Sequence, residues 1–273
     1  MKTRILMMAV ASALILSCKT INAVPPAVPA PAPTVHNIDV NGKIYAAVFQ
    51  QRAAEYKALC QQAFNIATLR LDEALKQPHQ KPLAIVTDID ETFLDNSPYA
   101  VTMAKKGQVF DEETWLAWTS KGEALPLQGS HAFFSYAASK GVTIFYISNR
   151  SQKDRPGTLA NLKKYDFPYA DDQHLILRDQ ISSKEPRRQK VAETHDIILL
   201  LGDNLSDLSA AFDKKTEAER EQVVKDNAVE FGKRFIVLPN TGYGDWESAL
   251  FDYNYKRTPA QKDSIYLSKV KGF

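Results

Sequence analysis

The feature that most constrains this chain is residues 83–96, where an apolar run ends in closely spaced acidic side chains. The run LAIVT at 83–87 has the length and composition of a buried strand, and Asp88, Asp90 and Glu91 follow it directly. Adjacent carboxylates at the end of a strand repel each other unless a cation or a proton lies between them. The stretch therefore predicts a strand that ends at a divalent metal site.

The first residues have the pattern of an export signal. Lys2 and Arg4 precede an apolar stretch, Ile5 to Leu16, that is too short to be retained as a membrane-spanning helix. Cys18 lies just beyond it, which resembles a bacterial lipoprotein signal with an acylated first cysteine; cleavage after Ala23 by the ordinary secretory peptidase is the alternative. We favour lipidation of Cys18, which predicts a membrane anchor on an outer-membrane lipoprotein, whereas the alternative predicts a periplasmic protein.

A proline-rich segment separates this signal from the rest of the chain. Residues 24–33 contain five prolines and no charged residue, a composition typical of an extended spacer. We therefore predict a signal peptide over residues 1–18, a linker over 19–40 and a single domain over 41–273.

Composition and cysteine content narrow the range of partners. The chain is 44% hydrophobic and 24% charged, as in soluble globular proteins. Its formal net charge of +2 disappears when Lys2 and Arg4 are removed with the signal, which argues against a nucleic-acid polymer as partner. With Cys18 lipidated, Cys60 has no cysteine to pair with, and we expect it to be a buried apolar residue. An oligomer is compatible with the sequence.

Apolar runs alternate with helical patterns along the domain. Such runs predict strands buried on both faces, and hence an α/β fold with a doubly wound parallel sheet. The predicted strands are 83–87, 142–147, 174–177, 197–201 and 235–238, and the predicted helices include 42–77, 111–121, 128–140, 152–165 and 215–232. A further helix is expected to open at Ser182 with Glu185 in a capping box.

Polar clusters follow three of these strands. In parallel sheets ligands bind beyond the carboxyl ends of the strands, so these clusters are expected to meet at one edge. They are Asp88 and Asp90 after the first strand, Ser148 and Asn149 after the second, and Asp203 and Asp207 after the fourth.

The chemistry of this edge indicates a phosphate site. Four carboxylates without accompanying His or Cys suit a hard cation such as Mg²⁺ and argue against zinc. Lys184 adds a cation, while Arg187 and Arg188 are predicted to be solvated and Arg150 has no assigned role. Gly202 is expected to let the chain turn sharply before Asp203. Asp207 has an alternative role as an acid favoured at a helix start.

The same residues carry a resemblance to a known family. The segment DIDET at 88–92, followed by Leu94, Asn96 and Tyr99, resembles the first signature of bacterial class C acid phosphatases, in the haloacid dehalogenase superfamily. The segment GDNL at 202–205, with Asp207, resembles their second signature. Ser148 and Lys184 stand where further superfamily motifs belong. The resemblance covers the chain from about residue 40 onwards, and with it we expect an N-terminal helical elaboration and a small cap insert.

The resemblance implies roles for individual residues. Asp88 would be the nucleophile, forming an aspartyl-phosphate, and Asp90 the general acid and base. The expected activity is Mg²⁺-dependent hydrolysis of small phosphomonoesters, including 5′-nucleotides and aryl phosphates, at acidic pH. The implied metal ligands are Asp88, Asp90 through its backbone carbonyl, Asp203, and Asp207 through water. The implied phosphate ligands are Thr92, Ser148, Asn149 and Lys184.

Aromatic residues are candidates for the substrate's leaving group. Among Tyr99, Trp115, Trp118, Tyr243 and Trp246 we select Tyr99 and Tyr243 as substrate-binding residues, because one is near the first signature and the other lies in a glycine-flanked loop. Two other functions remain open. One is a phosphotransferase that passes the phosphoryl group to an alcohol, and the other is a non-catalytic surface lipoprotein that binds a ligand.

Overall fold

The central element is a parallel β-sheet, as the alternating pattern predicts. The structure is a computed structural model, and it describes residues 37–273. The signal, most of the linker and Cys18 lie outside these residues, so the predicted boundaries at 18 and 40 stay predictions. The strands run in the order β5-β4-β1-β6-β7, all parallel, which confirms the α/β class. They are β1 Leu83–Thr87, β4 Thr143–Ile147, β5 Leu175–Ile176, β6 Asp196–Gly202 and β7 Phe235–Val237, and a short antiparallel pair is formed by β2 Leu94–Asp95 and β3 Leu125–Pro126.

Helices cover both faces of this sheet, in line with apolar runs that have no polar face. A helix that covers a sheet packs on it through an apolar face, whose side chains are spaced three or four residues apart in the sequence. The helices are α1 Ile38–Arg52, α2 Ala54–Ala74, α3 Ser97–Lys105, α4 Glu112–Thr119, α5 Ser130–Ser139, α6 Arg155–Lys164, α7 Glu185–Thr194, α8 Glu217–Asp226, α9 Asp245–Leu250 and α10 Pro259–Lys269.

Three of the predictions about helices are wrong. The helix expected over 42–77 is divided into α1 and α2, because Ala53 has extended backbone angles. Helix α8 ends at Asp226, before the expected residue 232. The capping box expected at Ser182 is not formed, since α7 begins at Glu185 with Lys184 as its N-cap.

The core has two parts, one on each face of the sheet. On one face Ile85, Phe93, Phe134 and Tyr146 belong to a cluster of buried aliphatic and aromatic side chains that includes residues of α2 and α5. On the other face the alternate residues of β1, such as Val86, pack with the side chains of neighbouring strands and of α7. Strand β1 is therefore buried from both sides, which holds its carboxyl end firmly at the centre of the sheet.

Among residues 37–273, none of the helices combines the length and the apolar character that crossing a bilayer requires.

Candidate active site

The carboxyl edge of the sheet brings together three carboxylates that are far apart in sequence. Asp88 follows β1, while Asp203 and Asp207 follow β6, and each contributes one oxygen to a group whose atoms all lie within 4.8 Å of one another. We call these residues the acidic triad. Burial raises the pKa of Asp88 and the pKa of Asp203, and the charge of Asp207 raises both further. Lys184 partly opposes this effect, because its ammonium lowers the pKa of Asp88. The triad thus holds more negative charge than its buried surroundings favour.

Lys184 lies within reach of two triad carboxylates. Its ammonium donates to Asp88 and, at 2.7 Å, to Asp207 Oδ1. Burial alone would lower the pKa of Lys184, but the two carboxylates outweigh that effect and raise it, so the side chain is charged. One ammonium against three carboxylates leaves two negative charges, which is the charge that one divalent cation neutralises. The donor set of oxygens therefore fits a hard divalent ion.

Thr92, an expected phosphate ligand, is tied to the triad. It is fully buried, and its Oγ1 donates to Asp203 Oδ1 at 3.0 Å and accepts from the backbone N–H of Asp203 at 3.1 Å. The preceding residue, Glu91, has a φ of 54°, a left-handed conformation that turns the chain back under the end of β1. In this arrangement the hydroxyl of Thr92 orients Asp203.

Gly202 and Asp207 are in close contact at the end of β6. A Cβ on Gly202 would lie 2.4 Å from the Cβ of Asp207, so glycine is needed there for close packing and not for the sharp turn that we predicted. Asp207 Oδ2 accepts from the N–H of Asn204 at 3.1 Å, and its Oδ1 contacts Lys184. One oxygen therefore caps a short helical turn while the other belongs to the triad. Arg188 is buried and donates to the carbonyl of Asp207 at 2.6 Å, so its predicted solvation is wrong.

Ser148 and Asn149 lie at the end of β4, next to α7. Ser148 is buried, and its Oγ accepts from the N–H of Arg150 at 3.1 Å. Arg187 donates to Asn149 Oδ1 at 2.6 Å and to the carbonyl of Ser148 at 2.7 Å. Arg187 is thus half-buried and connects the two elements, in contrast to the solvated side chain that we predicted.

The carboxylate of Asp90 is bound by Arg150, the residue that had no role in the sequence. Arg150 Nη2 and Nε lie 2.7 and 3.1 Å from Asp90 Oδ1, and Asn96 Nδ2 donates to the same oxygen at 2.8 Å. Arg150 also donates to Thr158 Oγ1 at 2.9 Å, and its side chain is 2% exposed. Burial would lower the pKa of Arg150, but Asp90 outweighs it and keeps the guanidinium charged. The sequence feature that could have identified Arg150 is its position directly after Ser148 and Asn149, the polar residues that follow β4.

Tyr99 is part of an aromatic group beside this ion pair. It is 9% exposed, its hydroxyl lies 3.0 Å from Thr114 Oγ1, and its ring centroid is 5.0 Å from that of Trp115. Trp115 lies 5.7 Å from the guanidinium of Arg150, and the exposed ring of Phe110 is 6.0 Å from Trp115. Phe110 is therefore the ring open to solvent, Trp115 is half-buried, and Tyr99 packs against both.

Tyr243 lies on residues 239–244, which connect β7 to α9 and which we call the tyrosine loop. Its ring is 40% exposed, while its hydroxyl points inward and donates to the buried carboxyl of Glu91. Burial, followed by the charge of Asp90, raises the pKa of Glu91 to about 8. Asn240 in the same loop donates to Asp203 Oδ2 at 2.7 Å. The loop is thus attached both to the triad and to the first signature. We call Phe110, Trp115 and Tyr243 the aromatic rim.

Comparison with known proteins places this geometry in a family. The sequence pattern of the family described as HAD superfamily, subfamily IIIB (acid phosphatase) matches residues 3–246. The chain belongs to this family. Two solved structures of class C acid phosphatase from Bacillus anthracis, one with tungstate bound, are each 43% identical to it with a TM-score of 0.84. Each match covers 87% of this chain and 100% of the solved chain. The predicted resemblance to class C acid phosphatases is therefore confirmed.

Two plant proteins match over shorter stretches. The stem 31 kDa glycoprotein of Glycine max is 30% identical over 165 residues, which is 58% of this chain and 62% of the relative. Acid phosphatase 1 of Solanum lycopersicum is 30% identical over 131 residues, or 45% of this chain and 51% of the relative. The match therefore spans between half and two thirds of the length of these plant relatives.

Family membership gives the acidic triad a context. Phosphatases of the HAD superfamily typically use a divalent metal, and the triad is the set of described residues whose oxygens are close enough to hold one. The structure brings the triad, Lys184 and Thr92 together, and it places the carboxylate of Asp90 beside them, on Arg150.

Proposed function

We propose that this protein is a Mg²⁺-dependent acid phosphatase that hydrolyses phosphomonoesters through an aspartyl-phosphate on Asp88. The observation that carries the proposal is the pairing of two carboxylates with different surroundings. Asp88 lies in the acidic triad against Lys184, whereas Asp90, two residues further on, is bound to Arg150. Different surroundings are what two carboxylates need in order to take different roles in one reaction.

The first half-reaction forms the covalent intermediate. A carboxylate oxygen of Asp88 attacks phosphorus, and the bond between phosphorus and the ester oxygen breaks. Asp90 in its acid form gives a proton to that oxygen, so an alcohol leaves instead of an alkoxide. Lys184 lies next to Asp88, where its charge stabilises the negative charge that builds up on the phosphoryl oxygens.

The second half-reaction restores the enzyme. Asp90, now a carboxylate, takes a proton from water as the water oxygen attacks phosphorus, and the bond between phosphorus and Asp88 breaks. Inorganic phosphate is released and Asp88 is regenerated. Arg150 and Asn96 bind the side chain of Asp90, which keeps its carboxyl group oriented for both proton transfers.

Mg²⁺ is the ion that best suits the triad. A bound Mg²⁺ would neutralise excess carboxylate charge and polarise the phosphoryl group. Asp88, Asp203 and Asp207 are the residues that would hold it, since each supplies an oxygen and none is accompanied by a soft ligand. The backbone carbonyl of Asp90 stays a predicted ligand.

The aromatic rim supports a substrate with an aryl or nucleoside leaving group. Phe110 and Tyr243 are 61% and 40% exposed, so both rings are accessible to a bound leaving group. A flat leaving group can stack on such rings, and stacking contributes about 1 to 3 kcal/mol per base. We therefore propose 5′-nucleotides and aryl phosphates as substrates.

Hydrolysis of p-nitrophenyl phosphate at mildly acidic pH tests the proposal. We expect activity that EDTA abolishes and Mg²⁺ restores, and we expect Asp88→Asn to be inactive, because an amide is not a competent nucleophile. Asp226→Asn, which removes an exposed carboxylate at the end of α8, is the matched control and should keep full activity. Substantial activity in Asp88→Asn would refute the mechanism.

A measurement independent of activity tests the metal site. Mg²⁺ that binds only the folded protein raises its stability, by about 2.7 kcal/mol at 100 times the Kd. We expect Mg²⁺ to raise the unfolding temperature of the parent and of Asp226→Asn but not that of Asp203→Asn. An equal rise in all three would place the ion elsewhere.

We also propose that the protein is exported and anchored through lipid on Cys18. The support is the sequence alone, namely the apolar stretch from Ile5 to Leu16 followed closely by a cysteine. Metabolic labelling with palmitate should mark the parent and not Cys18→Ser. An unlabelled parent would favour cleavage after Ala23 and a periplasmic location.

A further inference from the structure

The tyrosine loop is held from a part of the chain that the phosphatase signatures do not include. Asn240 attaches the loop to Asp203, and Tyr243 attaches it to Glu91. A third attachment comes from α1, where Lys43 Nζ donates to the carbonyl oxygen of Gly242 at 2.7 Å. This contact joins residues 199 positions apart and lies one residue before the tyrosine.

Lys43 is well placed to hold that carbonyl. Its ammonium also lies 3.1 Å from Glu247 on α9 and 3.2 Å from Asp39 on α1, so three acceptors surround its three protons. The side chain is 17% exposed, which limits competition from water. A hydrogen bond from a charged donor is shorter and stronger than one between neutral groups, so this contact fixes the Gly242 peptide firmly.

Glu247 and Asp39 each have a second donor, whereas the carbonyl of Gly242 accepts from Lys43. Glu247 accepts from the hydroxyl of Tyr266 at 2.6 Å, and Asp39 accepts from Lys262 at 2.9 Å. Removing the ammonium would therefore leave both carboxylates with a donor, but the peptide between Gly242 and Tyr243 would lose the bond to its carbonyl and keep only the long one from its N–H to Asn240 Oδ1, at 3.4 Å. Glycine adds no side chain that could hold the peptide in place.

We propose that Lys43 is a positioning residue that sets the orientation of the Tyr243 ring and thereby the preference for phosphate esters with large aromatic leaving groups. The inference rests on the proposed phosphatase function and deepens it. Lys43 has no contact with the acidic triad, so it acts on the binding of the variable part of the substrate and not on phosphoryl transfer. The N-terminal helix α1 is thereby a part of substrate selection.

Steady-state kinetics on two substrates test this role. With a nucleoside 5′-monophosphate we expect Lys43→Met to raise KM about 5-fold at an unchanged kcat. The misplaced ring of Tyr243 would weaken binding of the leaving group without affecting phosphoryl transfer. With glycerol phosphate, which has no ring to stack, we expect both constants within 2-fold of the parent. Lys43→Arg, which keeps a charged donor, should recover most of the nucleotide KM.

Two control variants separate this role from general packing. Lys57→Met removes an exposed lysine on α2, and Glu247→Gln weakens the ion pair but leaves the bond from Lys43 to Gly242; both should keep the parent KM. A Glu247→Gln enzyme with the same KM defect as Lys43→Met would overturn the proposal, as would equal losses on both substrates. A parent that hydrolyses neither ester would instead refute the proposed function.

Discussion

The acidic triad and the aromatic rim are adjacent but are built in opposite ways. The triad stands on the ends of two central strands, and Asp88 and Asp207 are each 8% exposed. The rim lies outside the sheet, with Phe110 and Tyr243 on loops and Trp115 on helix α4, and Phe110 and Tyr243 are 61% and 40% exposed. A sheet buried on both faces positions its strand ends rigidly, whereas loops depend on individual contacts.

Under the proposed function, this difference corresponds to a division of chemical work. The phosphoryl group is common to every phosphomonoester, so its site benefits from rigid, buried charges that need no rearrangement during reaction. The leaving group varies, and an exposed rim can accept different shapes. Changes in the triad should therefore alter kcat on all substrates, while changes in the rim should alter KM on some of them.

Of three variants that compare the surroundings of the triad with the rim, Lys184→Met is expected to have the largest effect. Loss of the ammonium removes the positive charge beside Asp88, and loss of one such stabilising group typically costs about 10²–10³ in kcat. The fall should be the same for p-nitrophenyl phosphate and for glycerol phosphate. Lys190→Met, at an exposed position on α7, is the control. A loss smaller than about 10-fold would show that Lys184 is not part of the phosphoryl site.

An intermediate effect is expected from Arg150→Met. Without Arg150 the carboxylate of Asp90 is less firmly held, and general acid catalysis, worth about 10²–10⁴, loses part of its effect. Because p-nitrophenolate leaves without a proton and an alkoxide does not, we expect kcat to fall about 10-fold more on glycerol phosphate than on p-nitrophenyl phosphate. Equal losses on the two esters would indicate that Arg150 has only a packing role.

The smallest of these effects is expected at the rim. Tyr243→Ala should raise KM for a nucleoside monophosphate about 10-fold, within the range of one stacking contact, and leave glycerol phosphate unaffected. Tyr243→Phe keeps the ring but loses the hydrogen bond to Glu91, so its KM for the nucleoside monophosphate should lie between those of the parent and of Tyr243→Ala. Changes of the same size for both substrates would refute the stacking role and would remove the distinction between triad and rim.

Local sequence patterns were sufficient to predict the sheet and the convergence of the triad residues at its edge. The apolar runs of β1, β4 and β6 could be recognised from composition alone, and the rule that parallel strands end at one edge brought Asp88, Ser148 and Asp203 together. The division at Ala53 was missed, since alanine favours helix and the apolar spacing continues across it. The packing of α1 against α3 and of α2 against α5 overrides that local preference.

By itself, then, the sequence determined the fold class and the carboxylates that meet at one edge of the sheet, because short local patterns encode strand burial and strand-end polarity. Only the tertiary structure decided which partner each of these residues has. Asp90 meets Arg150 across 60 residues and Glu91 meets Tyr243 across 152, and no periodicity encodes such pairs. They depend on the packing of whole elements, which brings distant side chains within the few ångströms over which hydrogen bonds act.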